Sequence, residues 1–79
     1  MKIQVLYFAR LRELRGREHE TLESHQSTCS QLYDELSMRF RFEMTRDVVS
    51  VAVNETLTSW DTVLHDDDTV AFLPPVSGG

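Results

Sequence analysis

The sequence predicts an α+β domain in which one main helix crosses a mixed sheet. Residues 2 to 8 alternate in hydrophobicity, with Ile3, Val5 and Tyr7 on one parity, the period-two signature of a half-buried strand. Between 28 and 40 the apolar residues follow the helical period instead, and Cys29, Leu32, Tyr33, Leu36 and Phe40 fall in one stripe. After that stripe come β-branched segments at 48–53 and 69–73. Strands on both sides of a helix in 79 residues leave room for one sheet and one covering helix.

Each element has its own local signature. In the first strand Lys2, Gln4, Leu6 and Phe8 take the parity opposite the core, so Leu6 and Phe8 are apolar residues on the face expected to be wet. Residues 9–15 are good helix formers, with Leu11 and Leu14 on one side and Gly16 where a left-handed terminating residue belongs. His19 to Leu22 suits a second strand with Thr21 and Glu23 outward. Thr28 and Gln31 match the capping box that opens the main helix. Residues 41–47 have no period and read as a loop anchored by Phe42 or Met44, and Val48 to Val53 forms the next strand. Asn54-Glu55 turns into a short segment holding Leu57, and Trp60 pins a loop to the core. In the last strand Val70 and Phe72 face in while Ala71 and Leu73 face out. The expected core is Ile3, Val5, Tyr7, Leu32, Leu36, Phe40, Val70 and Phe72, which leaves Phe8, Leu57 and Leu73 as an apolar set on the opposite face.

Composition excludes several function classes. Thirteen acidic residues against eight basic ones give a net charge of −5, the wrong balance for a phosphate backbone. No apolar run approaches the roughly 20 residues needed to cross a bilayer. The N-terminus enters the first strand without an apolar leader, so a cytoplasmic chain with neither nucleic acid nor membrane as partner is expected. Cys29 is the sole cysteine, and His19, His25 and His65 do not stand at ligand spacing with it, so no metal is assigned. Cys29 sits in the helical stripe and reads as a small core hydrophobe. Asp66-Asp67-Asp68 lacks calcium-loop spacing and reads as a solvated turn. The cluster Arg10, Arg12, Arg15 and Arg17 and the acidic cluster at 61 and 66–68 are solvated faces by default, with a charge-complementary partner as the second reading.

The segment that does not serve a core is 74–79. Pro74 and Pro75 hold its root extended, while Gly78 and Gly79 leave a slim tip ending in a carboxylate. At about 3.3 Å per residue such a thread reaches about 20 Å from the body. A glycine pair alone is explained by a frayed terminus, but the proline root placed directly after a strand favours a working part. The division expected is a domain over 1–73 and a tail over 74–79.

Three blocks then carry a family resemblance: Tyr7-Phe8-Ala9-Arg10-Leu11-Arg12-Glu13-Leu14-Arg15-Gly16, Val53-Asn54-Glu55-Thr56, and residues 68–79 ending Pro74-Pro75-Val76-Ser77-Gly78-Gly79. Their order and the final motif resemble the MoaD family, the ubiquitin-like small subunits of molybdopterin synthase. The resemblance implies a β-grasp fold with the first and last strands parallel and central. It also implies a non-catalytic carrier role, in which a MoeB-like enzyme adenylates Gly79 with ATP and sulfur then replaces AMP. The resulting thiocarboxylate would enter a MoaE-like large subunit, in a heterotetramer, and deliver sulfur to cyclic pyranopterin monophosphate. The chain itself would bind no cofactor. The family's docking surface maps onto Phe8, Leu57 and Leu73, in agreement with their outward parity. Asp67 departs from the pattern, since the family usually has glycine between two acidic residues there. Two alternatives stay open: a carrier for thiamine or tRNA thiolation or for protein modification, and an interaction domain whose tail is inert.

Overall fold

The computed structural model describes residues 1–75. In chain order the elements are β1 (Lys2–Tyr7), α1 (Ala9–Arg15), β2 (His19–Glu23), α2 (Cys29–Phe40), a 3-10 turn (Arg46–Val48), β3 (Ser50–Val53), β4 (Thr56–Thr58) and β5 (Thr69–Leu73). The five-stranded sheet runs β2-β1-β5-β3-β4. β1 and β5 pair in parallel near its centre, with Val5 opposite Val70 and Tyr7 opposite Phe72, and the other pairs are antiparallel. This is the β-grasp, ubiquitin-like architecture expected from the sequence.

The core lies between the sheet and α2. Ile3, Val5, Tyr7, Val51, Val70 and Phe72 come from the strands, and Cys29, Leu32, Tyr33 and Leu36 from the helix stripe. The helix begins where the capping box places it: Thr28 Oγ1 accepts the Gln31 N–H at 3.3 Å, and Gln31 Oε1 accepts the Thr28 N–H at 3.3 Å. An aromatic cluster fills the end of the core nearest the close of β5. The Tyr33 ring meets Phe72 edge-on at 5.2 Å, Trp60 stacks on Phe72 at 6.0 Å, and Phe42 reaches Tyr7 at 6.0 Å. Trp60 pins its loop as expected, and its indole also donates to the Arg46 carbonyl at 3.2 Å.

Some boundaries differ from the sequence reading. Val48 lies in the 3-10 turn, 46% exposed, and β3 starts at Ser50. Local bonding explains the shift, because the Thr45 hydroxyl bonds the Asp47 carboxylate and the Val48 N–H bonds the Thr45 carbonyl. Phe40 is only partly buried, packed against the edge of the core.

The aspartate triplet is a mostly exposed turn, as expected, and a structural one as well. The Asp66 carboxylate accepts the Lys2 N–H at 2.7 Å, and Asp68 accepts the His65 N–H at 2.8 Å and the Asn54 side-chain amide at 2.9 Å. These bonds tie the start of β1 to the start of β5 and so support the register of the parallel pair. Asp67 has φ 70, the left-handed region where a Cβ is disfavoured.

α1 has only seven residues, too short to be stable alone. Leu11 anchors it in the core, and Gly16, at φ 83, ends it. Its last residue makes a second anchor. Arg15 donates from Nε and Nη2 to the two carboxylate oxygens of Glu20, each at 2.7 Å, and Tyr7 Oη donates to the same carboxylate at 2.6 Å. Glu20 is buried on the inward parity of β2. The Arg15 bonds, reinforced by those of Tyr7 and the nearby Arg17, hold its carboxyl below the usual range despite burial, which acts in the opposite direction. Burial and then the Glu20 hydrogen bond push the Tyr7 phenol far up.

Two outcomes follow from these contacts. Asp67→Gly should stabilise the fold by about 0.5–1 kcal/mol in urea unfolding, because glycine adopts positive φ without steric cost; a loss of stability would contradict that assignment. Glu20 is deprotonated more readily in the folded than in the unfolded state, so its contribution is present above the unfolded carboxyl pKa, about 4.3, and fades as pH falls through that value to the lower folded one. Glu20→Gln should therefore be destabilising at neutral pH and approach the parent stability in acid. An equal deficit at both pH values would show that Glu20 contributes by packing alone.

Candidate functional site

The parallel pairing decides what surrounds the root of the tail. Tyr7 lies opposite Phe72, so the two chains leave the sheet side by side and Phe8 emerges next to Leu73. Both residues point away from α2, because their strand neighbours Tyr7 and Phe72 are fully buried on the other face. Phe8 is extended at φ −125 and serves as N-cap of α1 without a side-chain cap bond. Ala9 then takes φ 49, a left-handed conformation that costs an alanine about 1 kcal/mol. That turn sends α1 back along the sheet and opens a groove of about 650 Å³. Phe8, Ala9, Arg10 and Glu13 line one side of it, and Leu73, Pro74 and Pro75 the other.

Of the residues singled out from sequence, Phe8 and Leu73 are brought together in this groove, and Pro74 and Pro75 form part of its wall. Phe8 is 42% exposed, large for an aromatic ring with no functional demand on it. Leu57 shares the sheet face but stands apart. It lies on edge strand β4 opposite Ala52, which itself pairs with Ala71 of β5, and it is 69% exposed. Leu6, Ala71, Ala52 and Leu57 thus form an apolar row across four strands, with Phe8 and Leu73 at one end of the face. Val76, Ser77, Gly78 and Gly79 lie outside the described residues.

Arg10, Ala9 and Glu13 belong to the groove but were not marked by the sequence as site residues. Arg10 sits on the rim, bonded to Glu13 at 3.2 Å and Glu43 at 3.1 Å, and so joins α1 to the loop after α2. The signal that could have found them was position alone, within five residues after an outward-facing Phe8.

The chemistry around the groove is that of a docking surface. Its charged side chains are paired with each other, and its floor is apolar. Cys29 is fully buried, and burial, followed by the negative charge of Asp68, pushes its thiol up, so it stays protonated and inert as a nucleophile. Among the described residues no group of three or more histidine, cysteine or carboxylate side chains is arranged to hold a metal, and no helix is long and apolar enough to cross a membrane.

Comparison with known proteins agrees with this fold. The ThiS family model matches residues 5–79. Over 81 residues the chain is 40% identical to the molybdopterin synthase sulfur carrier subunit of Arabidopsis thaliana, covering 100% of this chain and 84% of that protein. It is 39% identical to the protein of the same name from Escherichia coli, over 98% of this chain and 99% of the relative. Among solved structures, the complex of subunits 1 and 2 of molybdopterin-converting factor from Helicobacter pylori contains a chain that superposes with a TM-score of 0.69 at 25% identity, each chain fully covered. With a family match that runs from β1 through the Gly-Gly ending, and relatives similar along nearly their whole length, this chain belongs to the ThiS family, as a homologue of molybdopterin synthase sulfur carrier subunits.

Proposed function

We propose that the chain is the sulfur carrier subunit of molybdopterin synthase and that Gly79 carries the sulfur. The observation that bears most weight is the apolar groove formed by Phe8 and Leu73 at the root of Pro74-Pro75. It gives a partner a surface to grip where the tail leaves the body, and the similarity to sulfur carrier subunits supports sulfur as the cargo. The relative from Helicobacter pylori, solved in complex with its subunit 2, supports a large-subunit partner; in this reading that partner is MoaE-like and the two assemble as a heterotetramer.

In this reading residues 1–73 are the docking body and 74–79 the working arm, in a soluble cytoplasmic protein. A free carboxylate resists displacement because its leaving group would be oxide. A MoeB-like enzyme therefore joins the Gly79 carboxylate to AMP from ATP and releases pyrophosphate. A sulfur donor then displaces AMP and leaves a thiocarboxylate. Once the tail is seated in the large subunit, its sulfur passes to cyclic pyranopterin monophosphate, and water restores the carboxylate. Gly78 and Gly79 have no Cβ, so the tip can pass through a channel too narrow for any other residue. The domain supplies no acid, base or cofactor, and its part is to place one carbonyl carbon correctly.

Reconstitution with the large subunit, an adenylating enzyme, ATP and a sulfur source tests this reading. Deleting Gly79 should abolish sulfur transfer while leaving the unfolding midpoint unchanged. Leu73→Asp should weaken binding of the large subunit by at least about tenfold, because it places a charge in a desolvated apolar contact. Leu57→Asp, farther from the groove, should have a smaller effect. Undiminished transfer by the deletion variant would overturn the carrier role.

A further inference from the structure

The bidentate Arg15–Glu20 pair stands out as a contact that the carrier role does not use. Buried ion pairs are weak sources of stability, since desolvation offsets most of their Coulomb energy, and their better attested use is to select one arrangement among several. Arg15 is well placed for that. It closes the last turn of α1, grips Glu20 on β2 through two bonds of 2.7 Å, and lays its guanidinium over the Phe40 ring of α2 at 3.9 Å. Tyr7, the last residue of β1, bonds the same carboxylate. One side chain at the end of a two-turn helix is thus tied to both neighbouring strands and to the main helix.

At the other end of α1 is a conformation that needs support. Ala9 holds φ 49 in the wall of the groove, and a strained residue of this kind persists only where its surroundings over-determine it. If α1 were free to pivot on Leu11, relaxation of Ala9 would move Arg10 and Glu13 away from Leu73 and Pro74.

We propose that Arg15, Glu20 and Tyr7 form a positioning clamp that holds α1 against relaxation of Ala9 and thereby keeps the docking groove at the root of the tail in its open shape. Arg15 is a positioning residue, because it is not among the residues that line the groove and acts through α1. The inference rests on the proposed docking role of the groove, but the link between clamp and helix stands without it.

The test is a double-mutant cycle with a partner-free arm. Arg15→Met keeps most of the apolar stem over Phe40 and removes the ion pair, and Ala9→Gly removes the strain. In native-state hydrogen exchange, Arg15→Met should speed exchange at the α1 amides of Leu11, Arg12 and Gly16 at least about tenfold, and by clearly more than at Val5 and Val70, which register only the loss of global stability. With the molybdopterin synthase large subunit from the same genome as titrant, Arg15→Met should weaken binding about tenfold. In the Arg15→Met background Ala9→Gly should restore binding about fivefold relative to its own effect in the unsubstituted protein, a coupling between residues at opposite ends of α1. A variant that had only lost stability would show uniform acceleration of exchange and no rescue by glycine. Unchanged α1 exchange, or additive effects of the two substitutions on binding, would overturn the clamp. Failure of the unsubstituted protein to bind the large subunit would instead count against the proposed function, with the exchange arm still deciding the clamp.

Discussion

The parallel pairing of β1 with β5 is the constraint on which the rest of the molecule depends. Parallel neighbours end on the same side of the sheet, so a strand from the start of the chain delivers Phe8 to the point where the last strand releases the tail. An antiparallel pair would have put Phe8 beside Thr69, at the far end from Pro74. The pairing is expensive in chain entropy because its partners are far apart in sequence. It is fixed by burial of Ile3, Val5, Tyr7, Val70 and Phe72 under α2, and by the aspartate turn that bonds the backbone of Lys2. Packing, register and the location of the functional groove therefore share one cause.

The sheet uses its two faces for different ends. One is closed by the Cys29, Leu32, Tyr33 and Leu36 stripe and supplies the stability of a small domain. The other carries Leu6, Ala52, Leu57, Ala71 and Leu73 as a low apolar surface on the side away from α2. Such a face carries a solubility cost for a free monomer and suits a protein that works docked to another. The charge of α1 is arranged to match, with Arg10 on the groove rim paired to Glu13 and Glu43, and Arg12 and Arg15 beyond it paired to Glu18 and Glu20, so that these arginines are not left as a basic patch.

Much of this was legible in the residues, and what was not has physical reasons. Alternation at Ile3, Val5 and Tyr7 and the Thr28–Gln31 capping box are local signals, and both elements formed where those signals stand. The outward parity of Phe8 and Leu73 was also local, but their adjacency came from the parallel register, which no single segment encodes. Leu57 shows the limit of parity: it shares the face with the other two and yet lies on an edge strand away from the groove. Glu20 was invisible as a buried residue because its partners, Tyr7 and Arg15, come from other elements. The aspartate triplet is mostly exposed, as its carboxylates suggested, but its bonds were not legible, because the backbone of Lys2 that it reaches is distant in sequence. Val48 has strand propensity, and a local hydroxyl–carboxylate bond overrode it.

The central claim comes down to one atom on Gly79, and intact-mass spectrometry tests it most directly. After incubation with ATP, the adenylating enzyme and a sulfur donor, the chain should gain the mass difference between sulfur and oxygen. Fragmentation should place that gain on the C-terminal peptide, which excludes oxidation of the exposed Met38, a change of nearly the same mass. The account predicts the gain on the fragment ending in Gly79 and its loss after exposure to the large subunit and pterin substrate. A C-terminal fragment of unchanged mass, in a mixture shown to be competent with the Escherichia coli relative, would contradict it.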